Sequence, residues 1–214
     1  MARAVCPVCE GISIRPFTTV EGRFYDACNH CEAVWLEPSQ HLSPAEEVAH
    51  YQLHENDVAD VGYRQFLSKL AGPLLSKLMP AQHGLDYGCG PGPALAALLE
   101  EAGHHVTVYD PVFACNATAL QRQYDFITCT EVAEHFHDAA SEFARFDTLL
   151  KPGGWLGVMT GMLPDDVDFS VWHYRRDPTH VVFYRPQTFE CLAKRYAWVC
   201  EFPVKDVVLI KKPA

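Results

Sequence analysis

The sequence has few charged residues and no long apolar run. Charged residues make up 21% of the 214 positions and hydrophobic residues 49%, which is typical of a packed globular protein and excludes a disordered one. No apolar run approaches the 18 or more residues of a spanning helix, and no signal-peptide core precedes the first cysteines. We therefore expect a cytoplasmic protein with no membrane contact.

Basic residues are scarce relative to acidic ones. Lysine and arginine number 17 against 27 aspartates and glutamates, for a formal net charge of -10. Nucleic-acid binding depends largely on basic side chains that neutralise phosphates, so a broad electrostatic contact with nucleic acid is not expected. The length allows one α/β domain and a small appendage.

Four of the nine cysteines form two pairs. Cys6-Pro-Val-Cys9 and Cys28-Asn-His-Cys31 are separated by eighteen residues, a spacing that indicates a structural zinc site with four thiolates. Apolar residues between the pairs alternate as in a small hairpin, so we predict a zinc ribbon over residues 1–40. The other cysteines lack ligand spacing and are predicted to be small core residues: Cys89, Cys115, Cys129, Cys191 and Cys200.

The predicted ribbon does not have the charge of a nucleic-acid-binding module. Residues 1–40 contain three arginines against five acidic residues. This balance favours a role in stabilising the protein or gripping a substrate.

Residues 41–80 are predicted to be a helical connector. Ser43 has the features of an N-cap, with proline next and acids in the first turn. Apolar residues then recur at helical spacing over residues 63–78. Between these helices, residues 51–56 are rich in hydrogen-bonding groups, as in a solvated helix face.

The most informative stretch, residues 84–110, reads as a strand, a glycine-rich turn, a helix and a second strand. Gly88, Gly90 and Gly92 directly follow the first strand, and without a Cβ they let the backbone turn sharply and approach a ligand. The second strand ends in Asp110, where a carboxylate can accept both ribose hydroxyls. This order of elements predicts a nucleoside-binding site.

The rest of the chain continues an α/β pattern with one abbreviation. Only fifteen residues lie between Asp110 and the apolar strand at 126–130, so a helix and a strand of a doubly wound sheet are missing or reduced. Later strands are predicted at 155–160, 198–202 and 207–210, with helices at 138–150 and 188–196. We expect an α/β domain over residues 81–214 with helices on both faces of its sheet.

The spacing D-x-G-x-G-x-G that starts at Asp86 resembles motif I of class I S-adenosylmethionine-dependent methyltransferases. Lys-Pro-Gly-Gly at 151–154 is another shared feature, and the whole chain is similar to bacterial proteins that join a zinc ribbon to such a domain. The resemblance implies a Rossmann-like fold with S-adenosylmethionine as cofactor. The residues implied in its binding are Asp86, Gly88, Gly90, Gly92, Asp110, Pro111, Thr130 and Glu131. In this family the segment before motif I commonly folds over the cofactor, so the resemblance also implies a lid at residues 51–56 as the alternative to a solvated helix face. An acidic or amide side chain after the third strand contacts the adenine in the family, and Asn116 is the candidate here.

We predict catalytic or metal-binding residues at 130–135, after the strand at 126–130. If a helix begins there, Glu131, Glu134 and His135 share one face. Glu-x-x-Glu-His resembles the metal motif of small-RNA 2′-O-methyltransferases and ubiquinone-pathway O-methyltransferases, and the former implies a fourth ligand, for which His180 fits. One hypothesis is therefore a magnesium-like ion on these four residues. In the metal-free alternative His135 is the general base, assisted by Glu131 or His180.

A predicted loop at 172–176 concentrates aromatic and basic residues. Arg175 and Arg176 could hold a carboxylate or phosphate of the substrate, with Trp172 and Tyr174 as an apolar wall. The alternative is a loop packed by its own aromatic residues.

We expect a methyl transfer from S-adenosylmethionine to an oxygen of a small-molecule acceptor. The Asn-Pro-Pro-Tyr type of motif found in many amino-group methyltransferases is absent after the strand at 126–130. Two alternatives stay open: an RNA methyltransferase that uses the ribbon to hold its substrate, and a non-catalytic protein that binds an adenosyl ligand or assists assembly.

Overall fold

The computed structural model describes residues 5–53 and 56–214. Its strands are β1 (Ile14–Val20), β2 (Arg23–Cys28), β3 (Val34–Leu36), β4 (His83–Tyr87), β5 (His105–Tyr109), β6 (Tyr124–Thr130), β7 (Leu150–Met159), β8 (Val182–Phe183), β9 (Val199–Val204) and β10 (Val207–Lys211). Its helices are α1 (Pro44–Tyr51), α2 (Val61–Leu75), α3 (Ala94–Glu101), α4 (Ala139–Leu149) and α5 (Pro186–Tyr196). Across these described ranges, no helix has both the length and the apolar character required to cross a bilayer.

The main sheet has six strands in the order β5-β4-β6-β7-β10-β9. Strands β5, β4, β6 and β7 are parallel, and β10 runs antiparallel to both β7 and β9. In the described part of the chain no strand lies outside β5, where the 3₁₀ turn Ala117–Gln121 follows instead. The predicted Rossmann-like sheet, shortened after its second strand, is therefore confirmed.

Helices cover both faces of this sheet. On one face α2 and α3 contribute Leu70, Leu74 and Leu99, which are fully buried. On the other face α4 and α5 contribute Phe143 and Phe189, also fully buried. Burial of both faces explains why the parallel strands read as nearly continuous apolar runs.

The N-terminal segment forms the predicted hairpin, β1 with β2, and adds β3 antiparallel to β2. Its fourth strand, β8, comes from the distant segment before α5 and pairs with β3. The sheet therefore crosses the boundary predicted at residue 40, and the ribbon's buried residues belong to the same core as α4 and α5. A two-residue strand such as β8 has no periodicity that a sequence could reveal.

Two local predictions need correction. The second connector helix spans Val61–Leu75 with Asp60 as its N-cap, whereas apolar spacing predicted 63–78. Among the cysteines outside the pairs, Cys89 and Cys129 are buried, but Cys115 is exposed, so its assignment to the core is wrong. The shortened segment after β5 leaves no layer to cover this thiol.

Candidate cofactor and catalytic site

A cavity of about 840 Å³ lies at the carboxyl ends of β4, β5 and β6. This edge is where open α/β sheets bind ligands. The predicted cofactor residues that line it are Gly88, Gly90, Asp110, Pro111, Thr130 and Glu131. The Oγ1 atom of Thr130 is buried and has no hydrogen-bond partner in the described structure.

The glycine-rich turn requires its glycines. Gly88 and Gly90 have φ angles of +78° and +63°, a region that favours glycine. A Cβ on Gly88 would lie 2.3 Å from Cγ2 of Val132, and one on Gly92 would lie 1.9 Å from the carbonyl oxygen of Asn56. The turn is thus packed closely against the chain on both sides.

Asp86 lies beneath this turn and does not line the cavity. Its side chain is buried and accepts a hydrogen bond from Oγ1 of Thr128 at 2.7 Å. Burial raises the pKa of Asp86 to about 6, although the hydrogen bond from Thr128 acts in the opposite direction. Asp86 therefore joins β4 to β6 just before the turn.

Asp110 joins the glycine turn to the segment after β5. Its Oδ2 accepts from the Gly90 amide at 3.0 Å, and its Oδ1 accepts from the amides of Val112 and Phe113 at 2.8 and 2.9 Å. A carboxylate has about four acceptor positions, so these bonds fix the group and leave room for a ligand hydroxyl.

Asn116 does not reach the cavity. Its side chain accepts from the amide and hydroxyl of Thr118, at 3.2 and 2.6 Å, and so begins the 3₁₀ turn Ala117–Gln121. Val112 and Phe113 line the cavity at this end instead. The predicted adenine contact through Asn116 therefore has no structural basis.

The helix α1 and the chain after it form another wall of the cavity, with contributions from Val48, Tyr51 and Asn56. No residue of α1 is fully buried. The helix is joined to the body of the protein through Glu47, which lies 2.7 Å from Nε2 of His137, and His50, which lies 3.4 Å from Oδ2 of Asp177. Of the segment 51–56, whose role as a lid stays a prediction, residues 54–55 lie outside the described residues, and Tyr51 and Asn56 line the cavity.

Glu131, Glu134 and His135 do not share a helical face. Glu131 has φ +52°, and only Ala133–His135 forms a 3₁₀ turn. The left-handed residue turns the chain while the Glu131 amide still bonds to Met159 of β7 at 2.8 Å. The predicted helix was wrong because i, i+3 and i+4 spacing does not reveal a left-handed residue at its start.

Folding nevertheless gathers these side chains with residues from the segment after β7. Glu134 is wholly buried and accepts from the Tyr174 hydroxyl at 2.5 Å and from Oγ1 of Thr160 at 2.9 Å. The same Tyr174 hydroxyl lies 3.3 Å from Oε2 of Glu131. Tyr174 therefore bridges the two carboxyl groups.

Two imidazoles complete this cluster. Nδ1 of His135 lies 3.0 Å from the Thr179 carbonyl, and Nδ1 of His180 lies 2.7 Å from the Tyr174 carbonyl. A carbonyl can only accept, so in each neutral ring Nδ1 carries the proton and Nε2 keeps its lone pair. Ligand atoms of Glu134, His135 and His180 lie within 4.8 Å of one another, an arrangement able to take up a proton or a cation.

Burial shapes the protonation of the cluster. It raises the pKa of Glu131 to about 8, with a further contribution from the negative charge of Glu134. Burial also lowers the pKa of His180. At neutral pH the cluster therefore holds a neutral His180 and a largely protonated Glu131.

The loop at 172–176 contributes only Tyr174 to this cluster. Trp172 is buried and packs against neighbouring aromatic rings. Arg175 is also buried, donates to the Ser170 carbonyl at 2.6 Å, and pairs with Glu21 of the ribbon at 3.2 Å. Arg176 is exposed. Trp172 and Arg175 thus pack within the protein, which differs from the substrate contact predicted for them. The prediction missed this because the sequence does not show that Glu21 lies opposite Arg175.

The cysteine pairs converge as their spacing predicts. The Sγ atoms of Cys6 and Cys31 are 3.6 Å apart, as are those of Cys9 and Cys28. Ligands about 2.3 Å from a tetrahedral zinc ion lie roughly 3.8 Å from one another, so this cluster fits the ion. In each pair an amide two residues on points at the first thiol, at 3.5 Å from Cys6 and 3.4 Å from Cys28.

Sequence reasoning missed the far end of the cavity, which Tyr87, Glu142 and Arg145 line. Glu142 and Arg145 belong to no motif, and their i, i+3 spacing is that of an ordinary ion pair on a helix. The shortened segment after β5 was the available signal, since the layer that is missing there would have covered them.

A family model described as a methyltransferase domain matches residues 58–200 of the chain. Curated relatives include ubiquinone biosynthesis O-methyltransferases of Bordetella avium, 27% identical over 171 residues, and of Nitrosospira multiformis, 28% identical over 139 residues. These matches cover 68% and 59% of this chain, but only 64% and 55% of the relatives, so the chain spans less than two thirds of their length.

Solved structures show the same fold. A 1,6-didemethyltoxoflavin N1-methyltransferase of Burkholderia thailandensis superposes with a TM-score of 0.56 over 94% of this chain and 100% of its own, at 17% identity. That structure holds S-adenosylhomocysteine. The chain therefore belongs to this methyltransferase-domain family, with the fold of the class I S-adenosylmethionine-dependent methyltransferases.

Proposed function

We propose that this protein transfers a methyl group from S-adenosylmethionine to a hydroxyl oxygen of a small molecule. The observation that carries the proposal is the position of His135, which lines the same cavity as the glycine turn and Asp110 and whose Nδ1 is held by the Thr179 carbonyl. An imidazole held in one tautomer next to a nucleoside site suits a general base.

The residues present fit the cofactor. Gly88, Gly90 and Asp110 would hold its methionine and ribose portions, and the unpartnered Thr130 hydroxyl is a donor for it. When bound, S-adenosylmethionine supplies an electrophilic methyl group. The acceptor oxygen would form the new C–O bond as the C–S bond breaks, while its proton passes to Nε2 of His135. Most of the rate would come from alignment of the reactants.

Oxygen is the favoured acceptor atom because the curated relatives are named O-methyltransferases. Aromatic rings from Tyr51, Tyr63 and Phe136 line the cavity, which favours a flat, hydroxylated acceptor.

The test compares matched oxygen and nitrogen acceptors. Catechol and 1,2-diaminobenzene would be incubated with the protein and S-adenosylmethionine, and S-adenosylhomocysteine release measured. We expect turnover of catechol, and a loss of about 10²-fold or more in His135→Gln with unchanged calorimetric affinity for S-adenosylhomocysteine. Turnover of the diamine alone would reject an oxygen acceptor, and an unaffected His135→Gln variant would reject the base.

A divalent cation on Glu134, His135 and His180 is the alternative to a free base. Two imidazole nitrogens with one carboxylate suit a transition metal better than magnesium, which prefers oxygen ligands. A bound cation would act as a Lewis acid toward the acceptor oxygen. Elemental analysis distinguishes the two hypotheses, with one ion expected at the four-cysteine site in either case. Two metal ions per chain, reduced to one in His180→Ala, would support the cation. One ion in both proteins would support the free base.

We also propose that Cys6, Cys9, Cys28 and Cys31 hold a structural zinc ion. The fit of their Sγ separations to tetrahedral coordination supports this assignment. All four positions would be filled by protein, so this ion would have no direct part in the reaction.

A further inference from the structure

The cavity continues beyond Asp110 along the exposed edge of the sheet. Strand β5 is the last strand on this side, and the 3₁₀ turn Ala117–Gln121 covers only part of its edge. Side chains of α4, which lies on one face of the sheet, therefore line the same cavity as the glycine turn; they are Glu142 and Arg145.

These two residues form a hydrogen-bonded group with Tyr87 at the end of β4. The Tyr87 hydroxyl donates to Oε2 of Glu142 at 2.5 Å and accepts from Nη1 of Arg145 at 2.7 Å. The same Nη1 lies 2.7 Å from Oε1 and 2.6 Å from Oε2 of Glu142. Both α4 side chains are partly accessible, at 21% for Glu142 and 39% for Arg145.

The group retains unused hydrogen-bonding capacity. A carboxylate has about four acceptor positions, and Tyr87 and Arg145 occupy three of those on Glu142. The Nε and Nη2 atoms of Arg145 have no partner within residues 5–53 and 56–214. An acceptor and a set of donors therefore lie side by side at this end of the cavity.

We propose that Glu142 and Arg145 recognise the adenine of the cofactor. The inference rests on the proposed function, since it concerns the same nucleoside site. The 6-amino group of adenine donates and its N1 accepts, which matches a carboxylate next to a guanidinium. Val112, Phe113 and Tyr109 line the cavity between Asp110 and this pair and offer apolar surface to the base.

Calorimetry with two nucleosides tests the proposal. In S-inosylhomocysteine the 6-position accepts and N1 donates, so both contacts with the pair are lost. Wild-type protein is expected to bind S-adenosylhomocysteine about tenfold or more tightly than S-inosylhomocysteine, as for other paired contacts with a base edge. Equal affinities would overturn this inference alone. If neither nucleoside binds, the proposed function fails and the inference fails with it.

Variants then identify the residues. In Glu142→Gln the amide can donate to the inosine oxygen, so the affinities for S-adenosylhomocysteine and S-inosylhomocysteine should differ by no more than about threefold. Glu190→Gln, on the exposed side of α5, should keep the wild-type ratio of the two affinities. Arg145→Lys retains the charge beside Glu142 but loses the fork of donors, and it should weaken S-adenosylhomocysteine binding while unfolding near the wild-type temperature. A Glu142→Gln protein that folds and keeps the full preference would overturn the assignment.

Discussion

At the scale of single residues, Asp86 combines a motif position with complete burial. Its pKa in the folded protein, about 6, exceeds its ordinary value of 3.8 because burial disfavours the charged form. The folded protein therefore binds this proton more tightly than the unfolded chain does. The resulting stability is present below about pH 4 and is lost as the pH rises toward 6.

We expect Asp86→Asn to remove this loss of stability at rising pH. The amide oxygen can still accept from Thr128, so near pH 7 and without added ligand the free energy of unfolding should rise by about 3 kcal/mol. Near pH 3, where aspartate is protonated in both states, the variant and the wild type should be equally stable. Urea unfolding at both pH values measures the difference, with Asp166→Asn at an exposed position as control. A difference of the same size at both pH values would contradict the assignment to Asp86.

Tyr174 organises the proposed catalytic cluster, since its hydroxyl bridges Glu134 and Glu131. Tyr174→Phe leaves a buried carboxylate short of one donor, which should lower stability by about 1–3 kcal/mol. It should also lower kcat more than KM, because the carboxyl groups lose their alignment.

The control for this variant is Tyr124→Phe. The Tyr124 hydroxyl is also buried and donates to the Ala119 carbonyl at 2.8 Å, away from the cluster. This variant should lose stability without losing turnover. Equal losses of turnover in the two variants would show that Tyr174 acts through stability alone.

At the scale of elements, the glycine turn and the segment at Asn56 depend on each other. A Cβ at position 92 would overlap the Asn56 carbonyl, so Gly92→Ala must move the segment that covers the turn. We expect the affinity for S-adenosylhomocysteine to fall by about tenfold or more, as calorimetry would measure. Gly72→Ala is the matched control, because nothing lies within 4 Å of its added methyl group and helix α2 should gain up to about 1 kcal/mol. Unchanged affinity in Gly92→Ala would mean that the segment plays no part in binding.

Elements with strong local signals could be predicted from the sequence, and contacts between distant elements could not. The glycine spacing, the apolar stripe that contains Leu70 and Leu74, and the short segment after Asp110 each leave a local pattern. The pairing of β3 with β8 and the contact of Arg175 with Glu21 join segments more than 140 residues apart, and nothing local encodes them. For the same reason the residues Glu131, Glu134, His135 and His180 were predicted to lie together, but their arrangement around Tyr174 was not predicted.

At the scale of the whole molecule, the ribbon is hydrogen-bonded to the segments that form the proposed catalytic cluster. The Leu36 amide of β3 donates to the Val181 carbonyl, and the Val181 amide donates to the carbonyl of Glu134, both at 2.9 Å. His180 directly precedes Val181. On the other side of the ribbon, the Ala140 amide of α4 donates to the Pro7 carbonyl at 2.8 Å. The ribbon backbone thus supports the residues that carry Glu134 and His180.

Loss of the four-cysteine site should therefore affect the whole protein. Cys28→Ser/Cys31→Ser removes two of the four proposed zinc ligands, which flank the turn from β2 to β3 and so hold β3 beside Val181. Because the ribbon and the main sheet share one core, we expect a single calorimetric unfolding transition in the wild type. In the variant we expect the whole transition to move to lower temperature together with a fall in turnover. A ribbon that folded independently of the domain would instead give two transitions, and only the smaller would move to lower temperature in the variant.

Cys115→Ser, at an exposed thiol outside the cluster, should change neither property. Retention of the wild-type transition and turnover in the double variant would show that the catalytic cluster is held in place without the ribbon.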